Sequence, residues 1–269
     1  VDILLDKNRY ALSQVEGLLQ YFQGQAGHIF SPDVVDALHG LARIPSFWLD
    51  LEFGQYHFSD DGENFKRLLN LDELEELAQI MTILVDAKSP FTRHHSQGVT
   101  NVAGLLATKL HMPKEKVRMI KIAGMLHDIG KLAIPDEILM YPGPLSKQQR
   151  IVMKQHTYHS YHLIKGIGPG AKRLARWAAF HHERLNGTGY PFGLSAQDLE
   201  LEARLMAVAD ITESLLETRP YRKGMSKEKV RLILYNNVNA GHIDPDLTDL
   251  AVAHLDEIME IVNRCSGSA

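Results

Sequence analysis

Apolar residues recur at helical spacing along nearly all of this 269-residue chain, and no run alternates apolar with polar residues as a half-buried strand would. Such a chain has few ways to fold, because each amphipathic helix must bury its stripe against another helix. The expectation is an all-α helical bundle with a small N-terminal helical subdomain. Hydrophobic residues make up 45% of the chain, enough for one large core or two smaller ones.

Helical spacing runs from Lys7 to Phe22, and Ser31-Pro32-Asp33 reads as an N-cap followed by a first-turn proline opening a helix to about Arg43. Asp50 to Asn64 is polar and reads as a loop. Further helices are expected over 71–86, 92–111 and 114–129, the last with Gly130 placed to end it. Ser146 can cap a long helix through His162, and 171–182 forms another. Leu185 to Leu194, with three glycines and a proline, is a constrained loop, followed by helices near 199–218, 226–239 and 245–262. The polar stretch at Asp60–Asn64 predicts a boundary between residues 1–64 and 65–269, and every chemically suggestive residue lies in the second part.

A net charge of -4 argues against gripping a nucleic-acid polymer, which needs a positive field, but is compatible with a small anionic ligand. The single cysteine, Cys265, supports neither a disulfide framework nor a thiolate metal site and fits a reducing cytoplasm. No stretch approaches the roughly 18 to 20 apolar residues of a membrane helix, and the first residues lack a secretory pattern. The expectation is a cytoplasmic chain with no membrane segment of its own. Its start at Val1 suggests a fragment and leaves room for an upstream sensor or membrane segment.

The chemistry rests on the placement of some of the 14 histidines. His127 and Asp128 close an apolar helical run, where a carboxylate is costly unless a cation neutralises it. Alone, the pair reads equally as a capped helix end with a salt bridge. His181-His182-Glu183 precedes the glycine-rich loop, whose constraint suggests close backbone approach to something; by itself the pair could be two exposed rings. Asp210 sits in the apolar run RLMAVAD, where metal ligation or an arginine partner would explain it. With His95 and His156, these imidazoles and carboxylates suit iron, manganese, zinc or nickel rather than calcium.

In order and spacing, HDIGKLAIPDEIL from His127, HHERLNGTGYP from His181, VAD ending at Asp210 and RPYR at 219–222 resemble the HD-GYP domains of the HD phosphohydrolase superfamily over roughly Leu71 to Leu250. FSPDVVDALHGLA and FWLDL resemble, more weakly, the helical extension ahead of some of these domains, with a regulatory or dimerising role for residues 1–64 and catalysis in 65–269. The resemblance implies hydrolysis of cyclic di-GMP to pGpG and, in some members, to GMP. It implies divalent transition-metal ions, iron or manganese foremost and nickel or zinc next. Carried over by position, the ligands are His95, His127, Asp128, His156, His181, His182 and Asp210, with Asp128 bridging two metals. Lys131 would meet the scissile phosphate, and Tyr190, Arg219 and Arg222 would hold the phosphate and guanine parts of the nucleotide. Two ions about 3.5 to 4 Å apart can together activate a water for in-line attack, so no protein nucleophile is needed. A homodimer and a diguanylate cyclase or sensor partner are compatible with this picture. Other readings are an HD phosphohydrolase for another cyclic dinucleotide or a mononucleotide, and a domain that binds a nucleotide or a partner without turnover.

The chain departs from the pattern in places. Phe91 stands where trimetal members carry a glutamate, so two metals are expected. The HS match favours His95 over His94. Glu213 replaces the usual aspartate three residues after Asp210 and is expected to shift a substrate contact; Ser160 in place of a glycine looks tolerable. His159 and His162 read as surface residues or supports of the ligands, and His28, His39, His57, His111, His242 and His254 as structural or surface residues.

Overall fold

The computed structural model describes residues 4–6, 9–54, 68–88, 94–218 and 223–266. Among these the fold is all-α, with two isolated bridges and no strand. The N-terminal layer is α1 (Val15–Gly24), α2 (Pro32–Leu41) and α3 (Pro45–Phe53). The body follows with α4 (Leu71–Lys88), α5 (His95–Lys109), α6 (Lys114–Leu126), a 3-10 turn over Ile129–Ala133, α7 (Asp136–Leu139), α8 (Lys147–Met153) and α9 (Gln155–Gly166). It closes with α10 (Lys172–Ala179), a 3-10 turn over Phe180–His182, α11 (Leu201–Leu216), α12 (Lys227–Asn239), α13 (Pro245–Ala253) and α14 (Leu255–Ser266).

α5 and α11 are the axis of the body. Both are buried on nearly every face: Val99, Val102, Ala103 and Leu106 of α5 meet Leu205, Met206, Val208 and Ala209 of α11 in one core with α6 and α10. The N-terminal layer has smaller cores of its own, one around Leu5, Ala11, Leu18 and Trp48 and one around Phe22, Val35 and Leu38. No helix among the described residues is long and apolar enough to cross a membrane.

Several expected boundaries move. The loop expected from Asp50 is helical to Phe53, because α3 is apolar on most sides and shows no clean stripe; Trp48 and Leu49 are buried while Asp50 is exposed. The boundary at Asp60–Asn64 lies outside the described residues. The helix expected to reach Ile129 stops at Leu126. The long helix expected from Ser146 is divided at Lys154, and the last one at His254. Ser146 does cap α8, in a reciprocal box with Gln149.

Candidate metal centre

His127 is the C-cap of α6, and Asp128 heads the 3-10 turn that follows. Gly130 therefore does not end the helix; it allows contact. A Cβ there would lie 1.9 Å from the His156 carbonyl oxygen, so only glycine lets the turn press onto α9. Ser160 fixes this contact, accepting from the Gly130 amide at 2.9 Å and donating to the His127 carbonyl at 2.8 Å. Asp128 is thereby carried to the start of α9, beside His156.

Two groups of donors meet at Asp128. His95, His127 and Asp128 present ligand atoms all within 4.8 Å of one another, and so do His156, His181 and His182. Asp128 stands between them. Its Oδ2 lies 3.3 Å from His127 Nε2 and 3.8 Å from His95 Nε2, and its Oδ1 lies 3.3 Å from His156 Nε2. Asp210 closes the first group, with Oδ1 3.3 Å from His95 Nε2. All seven residues singled out in the sequence thus meet in one place, drawn from α5, the junction between α6 and the turn after it, α9, the Phe180–His182 turn and α11.

The rings are oriented to offer one lone pair each. His127, His156 and His181 donate Nδ1–H to the carbonyls of Gly124, Met153 and Ala178 at 2.6 to 2.7 Å, which places the free lone pair on Nε2. The Nε2 atoms of His127 and His156 are buried without any hydrogen-bond partner. A buried acceptor with no donor is costly, and a cation at each of the two donor groups satisfies the atom that belongs to it.

The charges agree. Burial pulls His156 down to about 3 and holds His181 and His182 below the usual range, so these rings are neutral at neutral pH and able to act as ligands. Burial opposes the charge on Asp128 as well, but Lys131 and His127 outweigh it and hold the carboxyl well below the usual range. Burial also opposes a proton on His95, yet the facing Glu213 and Asp210 carboxylates push it up to about 10. Two buried carboxylates here demand positive charge, supplied by Lys131 and a proton on His95 or by divalent cations. The donor set fits such ions: neutral imidazole and carboxylate, no thiolate.

The centre forms the floor of a cavity of about 800 Å³ whose far wall is the Tyr141-Pro142-Gly143-Pro144 turn. Lys131 lines it and bonds Asp128 Oδ2. Tyr190 lines it beside His182, with ring centroids 5.0 Å apart. Arg219, Arg222 and Phe91 lie outside the described residues. His94 faces a separate cavity, so His95 is the one that enters the site.

Glu213 corrects an expectation. It does not line the cavity; it is buried behind the centre and accepts from His95 Nδ1 at 2.6 Å. Asp210 and Glu213 are one turn apart on α11 and both face His95. A Cβ at Gly98 would lie 2.3 Å from Glu213 Oε1, so the longer side chain fits because residue 98 has none. His159 is no surface residue either; it is 2% exposed, edge-on to Phe53 at 4.9 Å and outside both donor groups. Sequence reasoning missed Asp86 and the role of Glu183. Glu183 is buried and accepts from the amides of Phe192 and Leu194, fixing the loop that carries Tyr190. Asp86 on α4, bonded by Ser96 at 3.3 Å, is pushed up to about 6 by burial and adds negative charge near His95 and Lys131. Glu183 follows the His-His pair directly, which was its one visible signal.

The profile of the HD domain matches residues 78–247. The chain is 33% identical over 242 residues, 88% of its length, to the 3'3'-cGAMP-specific phosphodiesterase 1 of Vibrio cholerae, covering 56% of that protein. It is 42% identical over 174 residues, 62% of its length, to the cyclic di-GMP phosphodiesterase response regulator RpfG of Xanthomonas campestris, covering 44% of that protein. The chain thus spans about half the length of the curated relatives it matches. Among solved structures, an HDG"Y"P protein from Bdellovibrio bacteriovorus superposes with a TM-score of 0.53 at 19% identity, over 70% of this chain and 65% of that one, a likeness of fold.

Proposed function

The chain belongs to the HD domain family, and from that premise we propose that it is a metal-dependent phosphodiesterase that opens a cyclic dinucleotide, cyclic di-GMP foremost, to the linear pGpG and onward to GMP. The observation that carries the reading is Asp128 with one oxygen toward each of two imidazole groups, on the floor of a cavity. His95, His127, Asp128 and Asp210 would hold one ion, and Asp128, His156, His181 and His182 the other, with iron or manganese preferred over nickel or zinc. Bound there, two ions supply Lewis-acid polarisation of the phosphodiester and a nucleophile at neutral pH.

The protein's own groups do the rest. Lys131, at the cavity wall, is placed to shift from Asp128 to a phosphoryl oxygen and offset the charge that grows there. Burial, reinforced by the Asp210 and Asp128 carboxylates, raises the Tyr190 phenol far above its ordinary range, so it stays protonated and donates a hydrogen bond to a phosphate oxygen. The loop amides tied to Glu183 keep that phenol in place. Arg219 and Arg222 carry guanidinium groups suited to phosphate and to stacking on guanine. Residues 1–64 would be the regulatory or dimerising part of a cytoplasmic protein, with a second copy, a diguanylate cyclase or a sensor as partner.

A second reading, 3'3'-cGAMP as substrate, is favoured by the relative of that specificity matching over 88% of the chain. Incubating iron- or manganese-loaded protein in parallel with cyclic di-GMP, 3'3'-cGAMP and a mononucleotide, then separating the products, decides among them. The proposal expects a linear dinucleotide from at least one cyclic one. Intact cyclic dinucleotides in the presence of metal-loaded protein would leave a binding domain and overturn it.

A further inference from the structure

α3 contacts neighbours of two residues that line the cavity, Tyr190 and His156, without lining it itself. The Ser46 amide donates to the carbonyl of Pro191, next to Tyr190, at 2.8 Å. Asp50 accepts from the Tyr158 hydroxyl, two residues after His156, at 2.5 Å. Ser46 is in the first turn of α3, where an amide has no acceptor within its own helix. Tyr158 is fully buried, so its hydroxyl must find a partner, and Asp50 on the N-terminal layer supplies it. A ring reinforces the contact with α9, where Phe53 packs on His159 at 4.9 Å, while Phe192, just past Pro191, packs edge-on to Tyr161 of α9 at 5.0 Å.

α3 is itself held from behind. Trp48 and Leu49 are buried in or beside the N-terminal core, and the Trp48 indole donates to the Ala42 carbonyl at 3.1 Å. One short helix thus ties α9, which carries His156, to the loop that carries Tyr190. Among the described residues, none of the N-terminal layer lines the cavity.

We propose that α3 sets the gap between His156 and Tyr190, with Asp50 and Ser46 as positioning residues, so that the N-terminal layer governs substrate affinity while supplying no group to the cavity. The kinetic arm of this inference rests on the phosphodiesterase reading; the structural arm does not. Tyr158→Phe keeps the ring and removes only the hydroxyl, Asp50→Leu removes the acceptor, and Asp50→Asn retains one.

For the full chain loaded with manganese, KM for the cleaved cyclic dinucleotide, kcat, bound metal and amide exchange are measured. Tyr158→Phe and Asp50→Leu should raise KM roughly fivefold, the worth of one hydrogen bond, with kcat and bound metal unchanged. The Ser46, Phe192 and Leu194 amides should exchange faster in both, and Asp50→Asn should restore KM and exchange to within about twofold of the unaltered protein. Unchanged exchange at these amides in Tyr158→Phe overturns the proposal, as does a fall in kcat and bound metal that the asparagine variant fails to rescue. If the unaltered protein cleaves no cyclic dinucleotide, the functional reading fails and amide exchange alone decides whether α3 holds the loop.

Discussion

The metal-centre side of the cavity and the α3 side are made differently. Around the centre, helices buried on nearly every face bring five neutral or protonatable rings against two carboxylates, with His127, His156 and His181 each pinned at Nδ1 by a backbone carbonyl. On the other side, a nine-residue helix with a small core of its own reaches the body through two polar contacts and a few rings. Donor geometry must hold to a fraction of an ångström, so it sits where local unfolding costs most, whereas a part that adjusts affinity belongs at the low-stability end.

The largest effect should come from the buried side. Asp128→Ala should lower turnover by at least about 10³-fold, since one carboxylate serves both donor groups; a variant with full activity would break the contrast by making the centre dispensable. Trp48→Ala should cost about 3 to 5 kcal/mol, but felt locally. Calorimetry should show an early transition of the N-terminal layer with the body and its bound metal intact. A single cooperative transition lowered throughout would mean that the two regions are one unit.

The smallest effect lies at the seam. Burial pulls His159 down to about 4, while in the unfolded chain it ionises near 6.5. Between these values the unfolded chain binds more protons, so the stabilisation is complete above pH 6.5 and is lost as the pH falls toward 4, by about 3 kcal/mol at most. His159→Phe should flatten that part of the urea-measured stability profile. An unaltered slope would place the ring in contact with water and loosen the seam further than described.

The all-α fold was legible because helical spacing survives in every long segment. The motif residues were legible for a different reason: imidazoles and carboxylates in apolar runs are costly, so they stand out. Their convergence was not, since nothing in the spacing of His95, His156 and Asp210 says that α5, α9 and α11 meet. α3 was hidden by apolar residues on most of its faces. The direction of Glu213 was hidden because its helical position faces the cavity or His95 depending on what residue 98 leaves free. Metal identity is not written in the donor set, which iron, manganese and zinc share.

The central claim is that Asp128 joins two cation sites. Metal analysis of the reconstituted protein tests it most directly. About two transition-metal ions per chain are predicted, falling to one or none in Asp128→Ala while the helical content is kept. A folded wild-type chain that binds no ion, or an Asp128→Ala chain that still binds two, would contradict it.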